Sequence, residues 1–90
     1  MNDSAAKQPL HIPLPDLGTG AAVIRVSAWF VEVGDDVEPG EPIVEVVIPG
    51  VTSDVCSPVP GRIIRILKDI DAVVHPGDIV AWVEQKEDRG

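Results

Sequence analysis

A shift of thirty-seven positions lays the second half of this chain over the first, and that internal repeat constrains the fold more than any single segment. Under the shift Pro39-Gly40-Glu41 falls on Pro76-Gly77-Asp78, Val33 on Ile70, Val37 on Val74 and Val46 on Val83. Upstream, Arg25-Val26 falls on Arg62-Ile63 and Phe30 on Leu67. A repeat of this length marks a supersecondary unit that cannot bury its apolar face alone. Two similar four-stranded halves that interlock as a sandwich with approximate twofold symmetry satisfy that requirement. The midpoint of the symmetry lies near residues 48–51.

The residue types agree with an all-β reading. Hydrophobic residues make up 44% of the chain but aromatics only 3%, so the apolar content is chiefly Val and Ile, which suit a pleated, half-buried surface. Nine prolines and eight glycines interrupt it too often for long helices. Runs between turn signals predict strands at 11–14, 23–31, 37, 43–47, 52–55, 62–67 and 79–84. In the longest, Val23, Arg25, Ser27 and Trp29 alternate against Ile24, Val26, Ala28 and Phe30. Ninety residues make one domain, expected over 10–84, with a flexible arm at 1–9 and a flexible tail at 85–90.

Charge excludes several classes of function. Fifteen acids against seven bases leave a formal net charge of −8, with no basic stripe to displace counterions from phosphates. The same charge disfavours anionic lipid, and no apolar run approaches the ~18–20 residues that span a bilayer. Nucleic acid and membrane are therefore not expected partners. Met1 to Lys7 lacks the apolar stretch of a secretory signal, and a single cysteine, Cys56, forms no internal disulfide, so a cytoplasmic location is expected.

The chemistry-bearing residues are few and scattered. Cys56 has no histidine near it in sequence to activate it and reads as a small, partly buried hydrophobe. His11 and His75 are isolated, so no metal site is expected. Asp35-Asp36 and Asp69 with Asp71 lie in turns, where aspartate caps local backbone. Trp29 and Trp82 are expected to fill or cover the sandwich. No nucleophile, general base and oxyanion donor can be assembled, so no catalytic residue is assigned and the chain does not read as an enzyme.

Pro15-Asp16-Leu17-Gly18-Thr19-Gly20, Trp29, Val33-Gly34-Asp35-Asp36-Val37, Gly40-Glu41-Pro42, Glu45-Val46, Ser57-Pro58, Gly61 and Pro76-Gly77-Asp78 resemble the lipoyl domains of 2-oxo acid dehydrogenase acyltransferases. The similarity covers about residues 11–84, and from Gly40 to Gly61 the spacing matches without a gap. The resemblance implies a flattened barrel, or barrel-sandwich hybrid, of two four-stranded antiparallel sheets, a fold shared with biotinyl domains. It also implies that a lysine at the apex of the central hairpin, within Asp-Lys-Ala, carries lipoate through an amide bond. Biotinyl relatives use Met-Lys-Met.

The triplet aligned with that motif here is Pro49-Gly50-Val51, which puts Gly50 at the attachment position. The lysines of the chain are Lys7, Lys68 and Lys86, all distant from it in sequence. No covalent cofactor is therefore expected. The functional expectation is a non-catalytic lipoyl-like module that binds or scaffolds a protein partner, such as a component of an acyl-transfer complex. The alternative is a swinging-arm carrier modified at a non-standard residue. A third reading, the barrel-sandwich domain of an efflux adaptor, lacks room for the helical hairpin usually inserted at the apex.

Pro-Gly predicts a type II turn, with proline at the first central position and glycine at positive φ in the second. Its twist opposes that of a two-residue hairpin, so looser pairing or a wider loop is expected at the apex. The flanking Val47, Ile48, Pro49 and Val51 make this tip apolar and a candidate interaction surface, unless Ile48 or Val51 folds back onto the sandwich.

Overall fold

The computed structural model describes residues 8–86. Its eight strands are β1 (Leu10–Pro13), β2 (Ile24–Trp29), β3 (Asp36–Val37), β4 (Pro42–Ile48), β5 (Val51–Cys56), β6 (Gly61–Ile66), β7 (Val73–Val74) and β8 (Ile79–Gln85). They form two antiparallel four-stranded sheets, ordered β1-β8-β6-β3 and β5-β4-β2-β7. Val and Ile from the inner face of each sheet interdigitate as one core, in which Val26, Ile43, Val44, Val46, Ile63 and Val83 are fully buried.

The sequence repeat is a structural one. The shift carries β2, β3 and β4 onto β6, β7 and β8, and the two sheet orders coincide when β5 takes the place of β1. Irregularities repeat as well. One bulge in β2 lies between Val26 and Ala28, and its mate in β6 lies between Ile63 and Arg65. The shift between Pro42 and Val44 opposite β5 recurs between Ile79 and Ala81 opposite β1.

The Pro-Gly-acid turns owe their recurrence to two jobs. Gly40 N–H donates to Ser57 O (2.7 Å) and Ser57 N–H to Glu41 O (2.9 Å); the mates are Gly77 to Leu14 O and Leu14 to Asp78 O, both 2.8 Å. The third residue closes the turn, since Glu38 N–H donates to Glu41 Oε1 and His75 N–H to Asp78 Oδ2. That amide, ahead of the opposing effect of desolvation and the attraction of Lys68, holds the Asp78 carboxyl below its ordinary range.

Three expectations change. The strand at Val73–Val74 was not predicted from its own residues, because two residues carry no periodicity; it exists as the mate of β3. The β2 bulge adds one residue and reverses the alternation beyond Ser27. Trp29 therefore packs against the core, while Phe30, in phase with the buried Ile24 and Val26 in the sequence alternation, is half exposed. The expected arm and tail lie largely outside the described residues, but β8 continues through Gln85, which pairs with Gly61, and Lys86 N–H donates to Pro60 O (3.0 Å).

The repeat also accounts for the one strained residue described. Asp71 has φ 74°, and its mate is Gly34, at φ 102°. Both donate the same bond, Asp71 N–H to Val26 O and Gly34 N–H to Ile63 O. Left-handed backbone disfavours a branched Cβ, so Asp71→Val is expected to cost about 1–2 kcal/mol, and Asp71→Gly essentially nothing. Thermal denaturation of the two variants checks this.

Candidate functional site

The β4–β5 hairpin carries the Pro49-Gly50 turn at its apex. Gly50 has φ 84°, as the second central residue of a type II turn requires. The expected loosening is absent: pairing is continuous from Val44↔Val55 to Ile48↔Val51, and the irregularity lies at the far end, between Pro42 and Val44. Burial of Ile48, 8% exposed, anchors the strand up to the turn. Ile48 thus belongs to the core rather than to an exposed surface, while Val47, Pro49 and Val51 remain exposed.

These exposed residues do not share one face. Val44, Val46 and Ile48 point inward, so Val47 points outward, while Val51 pairs with Ile48 at the rim of the inner side. No heavy atom lies within 4 Å of where a Cβ on Gly50 would sit, so the apex has room for a side chain but a backbone that L-residues rarely adopt. The two lysines of the described residues are elsewhere. Lys68 follows β6, its carbonyl accepting from Trp29 Nε1 (2.8 Å) and its ammonium 4.0 Å from Asp78 Oδ2. Lys86 follows β8, with Nζ 3.7 Å from Asp36 Oδ2.

On the outer face of this sheet one cross-strand row runs Thr52, Val47, Arg25, Val73. Val23 flanks Arg25, and a shallow open groove of about 280 Å³ is lined by Val23, Arg25, Val47, Ile48, Pro49 and Gly50. Arg25 Nη1 donates to Asp71 O (3.0 Å). In the sequence Arg25 is marked only by the repeat and by the alternation of residues 23–31. What distinguishes it is its surroundings, which appear once residues 23, 47 and 73 are brought beside it.

Other candidates fall outside this region. Cys56 is exposed, not partly buried, because Val55 takes the inward position at the end of β5. Trp29 covers the core as expected, but Trp82 lies on the outer face of the other sheet. There it stacks on His11, with ring centroids 4.5 Å apart and planes 5° from parallel, and Arg65 sits over it at 5.0 Å. Asp35 caps Glu32 N–H (2.8 Å) and Asp16 caps Gly18 N–H (2.9 Å), local turn chemistry in both cases. Among the described residues no three His, Cys, Asp or Glu side chains converge as metal ligands, and no helix is long and apolar enough to cross a membrane.

Comparison with known proteins places this architecture. The biotin/lipoyl family, described as "Biotin-requiring enzyme", matches residues 10–83. The chain is 37% identical over 72 residues, 80% of its length, to the dihydrolipoyllysine-residue acetyltransferase component of the pyruvate dehydrogenase complex of Corynebacterium glutamicum. Its identity to the Mycobacterium tuberculosis protein of the same description is 35% over 77 residues, 86% of the chain. To the lipoamide acyltransferase component of the branched-chain alpha-keto acid dehydrogenase complex of Pseudomonas aeruginosa it is 38% over 55 residues, 61% of the chain. The chain spans 11%, 14% and 13% of the lengths of these three relatives. A repeated four-strand unit, a central hairpin and these matches together make the chain a member of the biotinyl/lipoyl domain family, related to the lipoyl domains of 2-oxo acid dehydrogenase acyltransferases.

Proposed function

We propose that this chain is a non-catalytic lipoyl-like domain that carries no covalent cofactor and acts as an interaction module for a protein partner, such as a component of an acyl-transfer complex. The observation that carries the reading is the hairpin apex. The family holds lipoate or biotin on a lysine amine there, and Pro49-Gly50 supplies none. The residues at the apex do not fit an amide-linked arm. Lys68 and Lys86 each lie beside an aspartate and outside the hairpin, which is not the exposed turn geometry that a ligase would meet.

The test is intact mass after incubation with a lipoate ligase, lipoate and ATP. The wild-type mass is expected to stay unchanged, and a gain of one lipoyl group would overturn the reading. In the complementary variant, Pro49→Asp, Gly50→Lys and Val51→Ala are combined. With Pro49 and Gly50 both replaced, the apex is released from type II geometry, and a type I turn, in which both central residues have negative φ, lets Asp and Lys occupy it without strain and project an amine. That variant is expected to become a ligase substrate. If it folds and stays unmodified, the divergence extends beyond the apex.

A further inference from the structure

The fold builds the same backbone site twice, and the two copies differ in one respect that bears on binding. On the outer face of the β1-β8-β6-β3 sheet, Arg62 is flanked across the strands by Asp36 and Glu84. Arg62 Nε lies 3.7 Å from Asp36 Oδ1. On the other sheet the shift puts Arg25 in place of Arg62, Val73 in place of Asp36 and Val47 in place of Glu84. The arginine is retained and both of its carboxylate neighbours have become valine.

Arg25 consequently makes no ion pair among the described residues. Its bond to Asp71 O is to a neutral carbonyl and leaves the guanidinium charge unpaired. Around it Val23, Val47 and Val73 are 53%, 36% and 42% exposed. Arginine is among the residue types enriched at binding hot spots, and the exposed valines give it an apolar surround that can shed water on docking. We infer that this face, Val23, Arg25, Val47, Pro49 and Val73, docks an aliphatic segment of a protein partner that carries one aspartate or glutamate, whose carboxylate pairs with Arg25.

Charge complementarity selects that occupant. Guanidinium and carboxylate pair through two parallel hydrogen bonds, and flanking valines that exclude water strengthen the pair. Two copies of this chain, each at −8, repel, and so does an anionic lipid surface. A small free carboxylate would keep too much of its surface wet in so shallow a groove. The inference rests on the reading of the chain as an interaction module and names the chemistry of the partner.

The test titrates the ¹⁵N-labelled chain with an acetylated, amidated pentapeptide of valines around a central aspartate. Controls are the same peptide with central asparagine, and hexanoate. Amide shifts are expected at residues 23–26, 47–52 and 73, with affinity falling about tenfold for the asparagine peptide and for Arg25→Gln. Arg62→Gln is expected to bind as wild type does. Val47→Glu rebuilds the acid found beside Arg62, so it is expected to keep its melting temperature and lose binding.

Equal binding of the asparagine peptide, or shifts centred on Arg62, would overturn the inference. So would hexanoate matching the aspartate peptide, or concentration-dependent shifts at the same residues without peptide, which would identify a second copy. These outcomes are read on the unmodified chain. A lipoyl mass gain would therefore sink the interaction-module reading through a separate measurement, and a failed titration on a chain of unchanged mass sinks only this inference.

Discussion

Gly61→Ala is expected to destabilise the domain by about 3 kcal/mol, which in a chain this size lowers the melting temperature by on the order of 15 °C. A Cβ at this position would overlap the backbone carbonyl of Glu84 and come within 2.5 Å of Val83 Cγ1. Neither can retreat. The carbonyl belongs to β8, paired here with β6, and Val83 is fully buried in the core. Relief would require the first residues of β6 to lift from β8, opening the pairs Gly61↔Gln85 and Arg62↔Glu84 and, across the sheet, Val37↔Gly61. Urea denaturation of wild type and variant measures the loss directly. A variant within 0.5 kcal/mol of wild type, about the scatter of an ordinary surface change, would mean that the strands do not approach this closely.

Ile63→Ala is expected to cost a similar amount, about 3 kcal/mol, by a different mechanism. Ile63 is completely buried in β6, and it is the repeat mate of Val26, equally buried in β2. Truncation removes apolar contact and leaves a cavity among β-branched neighbours whose stiff side chains fill it poorly. The backbone is held from both sides, since Ile63 N–H donates to Asp35 O (2.9 Å) and Ile63 O accepts from Gly34 N–H (2.7 Å). Collapse of the site is thereby resisted. Ile63→Val, which removes one methylene, is expected to lose only about 1 kcal/mol. The ratio of the two losses, read from the same denaturation curves, separates cavity formation from general disruption of β6.

Much of the architecture was legible in the residues. Short runs rich in Val and Ile, bounded by Pro and Gly turns, mark β4, β6 and β8, because β-branched side chains suit a pleated, half-buried surface. The repeat foretold two equal sheets, and Pro49-Gly50 foretold the turn type. Several features were not legible, each for a local reason. Nothing in Ser27 announces a bulge, yet that one residue reverses Trp29 and Phe30. The hydroxyl of Ser27 donates to Glu45 Oε1 (2.7 Å), a partner eighteen positions away. Turn twist by itself argues for a loose apex; burial of Ile48, which only the assembled sandwich supplies, keeps it tight. Cys56 is exposed where a partly buried side chain is expected, because its phase on β5 opposes that of the buried Val55.

The order of residues along the chain alone determined that this domain is built twice, that it is all β, and that Pro49-Gly50 stands at the midpoint of the repeat. Covalent facts of that kind need no partner in space. Tertiary structure alone decided which side of each strand faces out and what stands beside it. The difference between Arg62 among acids and Arg25 among valines exists only once four strands lie side by side, because cross-strand neighbours are set by register and not by distance along the chain.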